Sequence, residues 1–367
     1  MSDYLNACAA YRVGYNRFIG SEIFEHGIQG DDEPTPLQVS ALPNYLEGYQ
    51  GNGRLVKMLQ MAYRDLCANI NNVKFENNIN IYIVLPSLDS RNFTFEDESS
   101  YTTEELIESI KHEFVTRYIN LIMPEIQAQN VYIIFGERVD FLQAFALALR
   151  DLNEGKCQYN LMLAVDCLLN NELVEQLLED EELKTAESPN GFIPGEGAVA
   201  MLLSSSLSNP NTDNACALDI RLDIGSEEVP SEDDWENEEQ FDENEESLRQ
   251  SWQGNILSLL TARCVGAEPI NTASLNWFSD MNGSYLRACE SGMLQVKLKS
   301  LIPELDIGSA ETPVANFGEM GLVTGGLYLA LIAFCIERDC LAFNYSLITL
   351  SEVNGKRGVM LIGKLRD

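Results

Sequence analysis

The chain has 367 residues, with 24 basic and 57 acidic side chains and a formal net charge of −33. Its length exceeds a typical domain of roughly 100–200 residues and points to two domains or one large duplicated one; an apolar share of 45% and an aromatic share of 9% exclude wholesale disorder. The charge argues against nucleic acid, whose binding draws on cations that neutralise phosphates, and against an anionic membrane surface, while leaving basic partners open.

The start, Met1-Ser2-Asp3-Tyr4, lacks the basic beginning and apolar core of an export signal, so a cytoplasmic protein is expected. Along the chain, strand-like apolar runs alternate with helix-like periods. Residues 53–70 read as a helix with Leu55, Met58, Leu59, Ala62 and Leu66 on one face. Residues 79–85 read as a strand stopped by Pro86. Thr102-Thr103-Glu104-Glu105 is a helix start, with a hydroxyl cap and early acids; that helix carries Leu106, Ile110, Phe114 and Ile119 and ends before Pro124. A strand over 131–135, a helix from about 141 to 152, an unalternating strand over 161–165, a helix over 171–183 and a strand over 198–204 follow. The second half repeats the grammar: strand 217–224, helix 248–264, strand 273–278, helix 285–301, an apolar helix over 321–337 and a closing hairpin of 343–350 with 358–363. The apolar stretch from Met320 to Ile336 falls short of the ~20 residues a membrane helix needs and reads as a buried core helix. Alternation of this kind implies helices layered on sheets, and the recurrence of element order implies a duplicated βα core.

Nine cysteines are scattered without a CxxC pair, and reduced thiols are expected. Neither His26 nor His112 lies within ligand spacing of a Cys pair, so no metal is expected, and nothing in the sequence asks for a cofactor. Residues 227–246 hold twelve acids and no base, with Pro230, Trp235 and Phe241 interrupting the run. Self-repulsion makes the stretch 226–248 a solvated, mobile insertion. Glu232, Asp233, Asp234, Glu238 and Glu239 around Trp235 and Phe241 suit a basic partner with apolar pockets; a plain solvated spacer is the equal alternative.

The stretch from Ser188 to Leu203, with Gly191-Phe192-Ile193-Pro194-Gly195-Glu196-Gly197-Ala198 at its heart, resembles the "GFxPGEGA" segment of β-ketoacyl synthases. Tyr159–Asp166 looks like the strand that precedes it in that family, and Val314–Gly321 with the apolar helix after it looks like the family's last glycine-rich region. Tyr11–Tyr15 and Phe24-Glu25-His26 fit loosely. The resemblance implies a thiolase-like α/β fold: a duplicated βα core in five layers, with two halves related by a pseudo-twofold. The N-terminal half would span 1–210 and the C-terminal half 211–367.

The family's chemistry needs a Cys thiolate on a strand-to-helix elbow, where a helix N-terminus lowers its pKa, and two His. By the family's spacing the elbow falls on Gly136-Glu137-Arg138-Val139-Asp140-Phe141, with Arg138 in the nucleophile's place. The first His region aligns with Asn276–Gly283, including Asp280, and the second with Phe317-Gly318-Glu319; none holds a His. A guanidinium is no acyl acceptor, so Arg138, Asp140, Asn276, Asp280, Gly318 and Glu319 read as vestigial positions and no residue is assigned a catalytic role.

Arg138 and Asp140 read either as a repurposed anion pocket or as a structural ion pair filling a closed one, the latter preferred. Asp280-Met281-Asn282-Gly283 reads as a recognition turn or, preferably, an Asx-Gly turn. Glu196 reads as a backbone-capping carboxylate rather than an acid catalyst, and Cys157, Cys167 and Cys289 as small hydrophobes rather than nucleophiles.

Catalytically vacant ketosynthase-like proteins of this kind are encoded in bacterial type VI secretion effector clusters. The resemblance therefore implies an adaptor or chaperone for a secreted effector in the bacterial cytoplasm. Its partner would be a basic toxin or a secretion-spike component, and the chain would form a homodimer or a heterodimer with a related chain. The alternatives are a chain-length-factor-like partner of an active β-ketoacyl synthase, or a residual acyl-thioester enzyme.

Overall fold

A computed structural model describes residues 3–16, 18–27, 33–42, 46–70, 79–88, 102–124, 130–205, 216–226, 255–266 and 274–364. The chain divides into two compact units, Met1–Ala215 with Asn316–Leu327, and Cys216–Ala315 with Tyr328–Asp367.

The first unit is built on a four-stranded sheet in the order β4-β3-β5-β6. Its strands are β3 (Ile79–Pro86), β4 (Asn130–Gly136), β5 (Tyr159–Cys167) and β6 (Glu196–Ser204). β3 runs parallel to both β4 and β5, setting Ile83 beside Ile133 and Leu163, and β6 returns antiparallel to β5. Every residue of β3 is buried, which explains its unalternating sequence: a strand covered on both faces needs apolar groups on each. Ile79, Ile81, Ile83, Leu85, Leu161, Leu163 and Val165 pack with Leu55, Met58, Leu59 and Tyr63 of α2 (Gly51–Asn69) and with Phe114 and Ile119. The opposite face is covered by α5 (Arg138–Asn153), which touches β3, β4, β5 and β6.

The helix begun at Thr102 carries a full capping box. The Thr102 hydroxyl accepts from Glu105 N at 3.3 Å, and Glu105 Oε2 accepts from Thr102 N at 2.9 Å, so each end satisfies an amide the helix leaves open. α3 (Thr103–Glu113) then loosens into a π turn over Phe114–Tyr118 and closes as α4 (Ile119–Ile122), a break that the even spacing of apolar residues does not announce.

Several boundaries differ from expectation. α5 opens at Arg138, not near Phe141, because Glu137 and Asp140 cap each other across its first turn. α6 (Asn171–Glu179) stops short of 183 because the chain turns left-handed at Glu181, φ 55°. The sequence does not announce α1 (Tyr4–Arg12), whose Asp3 carboxylate accepts from Asn6 N at 2.9 Å, or a hairpin of β1 (Ile19–His26) and β2 (Thr35–Val39).

The second unit carries a five-stranded sheet in the order β7-β11-β10-β8-β9. Its strands are β7 (Leu218–Ser226), β8 (Asn276–Ser279), β9 (Ala310–Glu311), β10 (Tyr345–Ser351) and β11 (Lys356–Lys364). The predicted closing hairpin is β10–β11, with Leu347 opposite Leu361. Trp277, Leu347, Val359 and Leu361 pack against Leu257, Leu260 and Cys264 of α7 (Asn255–Gly266) and Leu294 and Leu298 of α8 (Tyr285–Leu301). The parts of the predicted 248–264 helix and 273–278 strand before 255 and 274 lie outside the described residues. After a short α9 (Val314–Phe317), the apolar stretch opens with a 3-10 turn at Gly321–Val323 and continues as α10 (Thr324–Glu337). Among the described residues no helix is long and apolar enough to cross a membrane.

Candidate functional site

Four of the positions singled out from the sequence meet in the first unit. β4 ends at Gly136, and α5 begins two residues later. A Cβ at Gly136 would fall on the Asp140 carboxylate, so the tight elbow depends on glycine there. Asp140 turns back to the chain: its Oδ2 accepts from Glu137 N at 2.9 Å, and the Glu137 side chain caps the amide of Asp140 in return. Asp140 thus caps the helix, and Arg138, in the same first turn, forms an ion pair with another segment. Arg138, 8% exposed, places Nη2 2.7 Å from Oε1 of Glu319, which is 0% exposed.

Glu319 is fixed from several sides. Its Oε1 accepts from Gly321 N at 2.8 Å, its N–H donates to Ile193 O at 2.8 Å, and its carbonyl accepts from Gly195 N at 2.9 Å. These bonds sew the glycine-rich turn of 191–197 to the loop before α10. Gly318 adopts φ +75°, and a Cβ there would come within 2.8 Å of Ser40 Cβ and 3.0 Å of Ile193 O. Conformation and space both demand glycine. Asp166, fully buried at the end of β5, accepts from Cys167 N at 2.8 Å and from Leu322 N at 2.9 Å. The arrangement sets the Arg138 guanidinium against the Glu319 carboxylate; the segment 136–141 itself contains no thiol, hydroxyl or imidazole.

Glu196 has the backbone-capping role expected of it, and a second one. Its Oε1 accepts from Leu42 N at 2.9 Å, while Arg54 grips both oxygens, Nε to Oε2 at 2.6 Å and Nη2 to Oε1 at 2.7 Å. This fork is the strong geometry for guanidinium and carboxylate. It ties the first turn of α2 to β6. Cys167 lies against it, Sγ 3.3 Å from Glu196 Oε2. Burial, and then the Glu196 charge, push the Cys167 thiol far above its ordinary range, which suppresses the thiolate that nucleophilic attack needs. Burial likewise pushes Cys157 up.

Asn276 and Asp280 belong to the second unit, and both are engaged in its framework. Asn276 Nδ2 donates to Phe343 O at 2.9 Å and Tyr345 O at 3.0 Å, and its Oδ1 accepts from Phe343 N at 3.3 Å. Asp280 Oδ2 accepts from Ser351 N at 2.8 Å and lies 3.7 Å from Arg287 Nη1. Asn282 Oδ1 accepts from Ser284 N at 3.2 Å and Gly283 takes φ 112°, the Asx-Gly turn preferred for this segment.

Of the histidines, His26 sits in the β1–β2 hairpin opposite Thr35 and His112 is exposed on α3. Glu232, Asp233, Asp234, Trp235, Glu238, Glu239 and Phe241 lie outside the described residues. All nine cysteines are free thiols, and among the described residues no group of three His, Cys, Asp or Glu side chains is placed to hold a metal ion. Sequence reasoning missed Arg54 and Asp166. Arg54 stands alone in Gly51-Asn52-Gly53-Arg54, and its partner is 142 residues away, so no local pattern marks it.

No family model matches the chain, and no curated protein matches it in sequence. Solved structures do. The ishigamide ketosynthase/chain length factor is 14% identical, with a TM-score of 0.63 over 99% of this chain and 95% of that one. A type II PKS acyl-carrier protein in complex with its ketosynthase bound to the hexaketide gives 9% identity and a TM-score of 0.67 over 99% and 96%. The ketosynthase from module 1 of the bacillaene synthase of Bacillus amyloliquefaciens FZB42 gives 12% and 0.65 over 100% and 74%. The chain therefore has the thiolase-like α/β fold of ketosynthases.

Proposed function

We propose that this chain performs no acyl transfer itself and serves as the partner subunit of a Cys-bearing β-ketoacyl synthase, in the manner of a chain length factor. The observation that carries this reading is the Arg138–Glu319 pair. At the elbow that the family resemblance assigns to the nucleophile, a guanidinium stands 2.7 Å from a buried carboxylate of the loop assigned to a catalytic His. Covalent catalysis needs an activated nucleophile with a base in reach, and a charge-neutral pair supplies neither.

Two further observations support a partner role. Solved structures of this fold include one titled as a ketosynthase/chain length factor. In addition, β4 is the outer strand of its sheet, and among the described residues no strand pairs with its free side. Its run Val131-Tyr132-Ile133-Ile134-Phe135 contains no charge and no proline, and Tyr132 is 39% exposed. Proteins usually blunt a free edge with charge, proline or a bulge; an unprotected apolar edge suits a partner subunit. The effector-adaptor expectation rests on the family resemblance, and its candidate docking segment lies outside the described residues; the similar solved structures favour the partner-subunit reading.

Gentle capture of the tagged protein from its native host, followed by mass spectrometry, tests this. A Cys-bearing ketosynthase recovered in stoichiometric amount is expected. A toxin or secretion-spike component in its place overturns the proposal.

A further inference from the structure

We propose that Cys335 and Cys340 are a dithiol that closes reversibly to an intrachain disulfide by exchange with low-molecular-weight disulfides, clasping the C-terminal end of α10. The pairing comes from the way that helix stops. Asp339 takes a left-handed φ of 51°, a conformation that a short polar side chain tolerates. Asp339 N then donates to Ile336 O at 3.2 Å, and Cys340 N donates to Cys335 O at 2.9 Å. This pair of bonds about a left-handed residue is a Schellman cap, with Cys335 in the last helical turn and Cys340 the second residue past the cap. The chain folds back there, and the side chains at those two positions meet, ordinarily as an apolar contact. In this protein both are thiols. The 2.9 Å bond, with standard bond lengths on either side, keeps the two Cα atoms below about 6.8 Å apart. A disulfide spans roughly 4.4–6.8 Å between Cα atoms.

Burial agrees with the fold-back. Cys335 is 1% exposed, and Cys340 is half-buried although Glu337, Arg338 and Asp339 before it are all exposed. The two are also the closest pair in sequence among the nine cysteines, and both are in the thiol form. Cys340 is the sulfur that a small disulfide reaches. Its thiolate attacks one sulfur of glutathione disulfide, forming a mixed disulfide and releasing one glutathione thiolate. The Cys335 thiolate then attacks the Cys340 sulfur of that mixed disulfide and releases the second glutathione. In sum, two protein thiols and one small disulfide give one protein disulfide and two glutathione thiols; the protein gives up two electrons and two protons, and glutathione disulfide takes them. Closure turns the contact across the cap into a covalent bond and pins Asp339 in its left-handed conformation. By linkage, the folded cap favours the disulfide as much as the disulfide favours the cap. The pair does not depend on the partner-subunit reading.

The test equilibrates the purified full chain with mixtures of reduced and oxidised glutathione, once folded and once in denaturing urea. Remaining thiols are blocked with iodoacetamide, and the chain is cut with trypsin. Cleavage after Arg338 separates the two cysteines, so the disulfide joins peptide 300–338 to peptide 339–356, neither of which holds another cysteine. Mass spectrometry is expected to find these peptides linked, and separated by reduction. At a given glutathione mixture the ratio of linked to unlinked peptide is expected to be at least roughly tenfold higher in the folded chain, because only the formed cap holds the two sulfurs together. Cys340→Ser, a small change at a half-buried position, is expected to abolish the linked species. Linkage no more favourable in the folded chain than in urea overturns the proposal, as does a Cys340 found only glutathionylated or joined to a different cysteine.

Discussion

Replacing Arg138 with Met removes the cation from the Arg138–Glu319 pair and leaves the carboxylate where it is. Exposure decides the magnitude: the two side chains are 10% and 1% accessible, so the estimate for a buried pair applies rather than the ~0–1 kcal/mol of a surface one. Removing one partner of a buried pair costs about 3–5 kcal/mol, because the survivor is left as an uncompensated charge. With a urea dependence of roughly 2 kcal/mol per molar, the unfolding midpoint should fall by about 2 M. The double variant Arg138→Met with Glu319→Gln removes the stranded charge and keeps an oxygen for Gly321 N–H, so it should recover most of the loss. Acidification should also narrow the deficit of the single variant. Burial without a cation raises the carboxyl's pKa, and the folded state then gains a proton before the unfolded one. The assay is urea denaturation of the three proteins followed by tryptophan fluorescence. A single-variant loss below about 1 kcal/mol, or a double variant no better than the single, would refute the reasoning.

Other expectations follow from the same geometry. Gly318→Ala meets both a φ of +75° and a contact 2.8 Å from Ser40 Cβ; it should cost more than about 1 kcal/mol, measured by thermal melting. Tyr82 donates to Asp151 Oδ2 at 2.6 Å and Lys156 to Oδ1 at 3.0 Å. Burial pushes the Asp151 carboxyl up, but these two bonds outweigh it and hold the pKa below its ordinary value. The contribution is therefore complete above the unfolded carboxyl's pKa of about 3.9 and is lost as pH falls through the lower folded value. Tyr82→Phe should cost roughly 1–2 kcal/mol at neutral pH and flatten that acid loss, as read from denaturation across the acid range. Cys167, and Cys264, whose thiol burial pushes up to about 12, should stay unalkylated by iodoacetamide at about pH 8 in the folded protein; peptide mapping that finds Cys167 labelled would contradict its placement.

What the sequence made legible was what local pattern encodes. The unbroken apolar runs of β3 and β5, the Thr102 cap and the β10–β11 hairpin all follow from burial on two faces, a hydroxyl before early acids, and paired apolar runs. The glycine-rich turn at 191–197 and the loop at 316–321 were recognised as two segments of one family resemblance, but not the bonds that join them. Glu319 was read as a gap where a histidine should stand; the structure makes it the counterion of Arg138, 181 positions earlier. Asp140 was read with Arg138 as an ion pair; the structure gives it a helix-capping role as well, its Oδ2 accepting from Glu137 N. The start of α5 was placed late for the same reason: an acid at each end of the capping box looks like ordinary surface charge. The β1–β2 hairpin escaped notice because most of β1 is exposed or half-buried and only Leu37 and Val39 of β2 are buried, leaving little alternation to read.

The central claim, a ketosynthase fold whose own chemistry is gone, is tested most directly by intact-mass spectrometry. The chain is incubated with an acyl thioester alone and together with its captured partner. The account predicts that this chain keeps its native mass in both samples while the partner's cysteine acquires the acyl group. An acyl adduct on this chain, mapped to any of its nine cysteines, would contradict it.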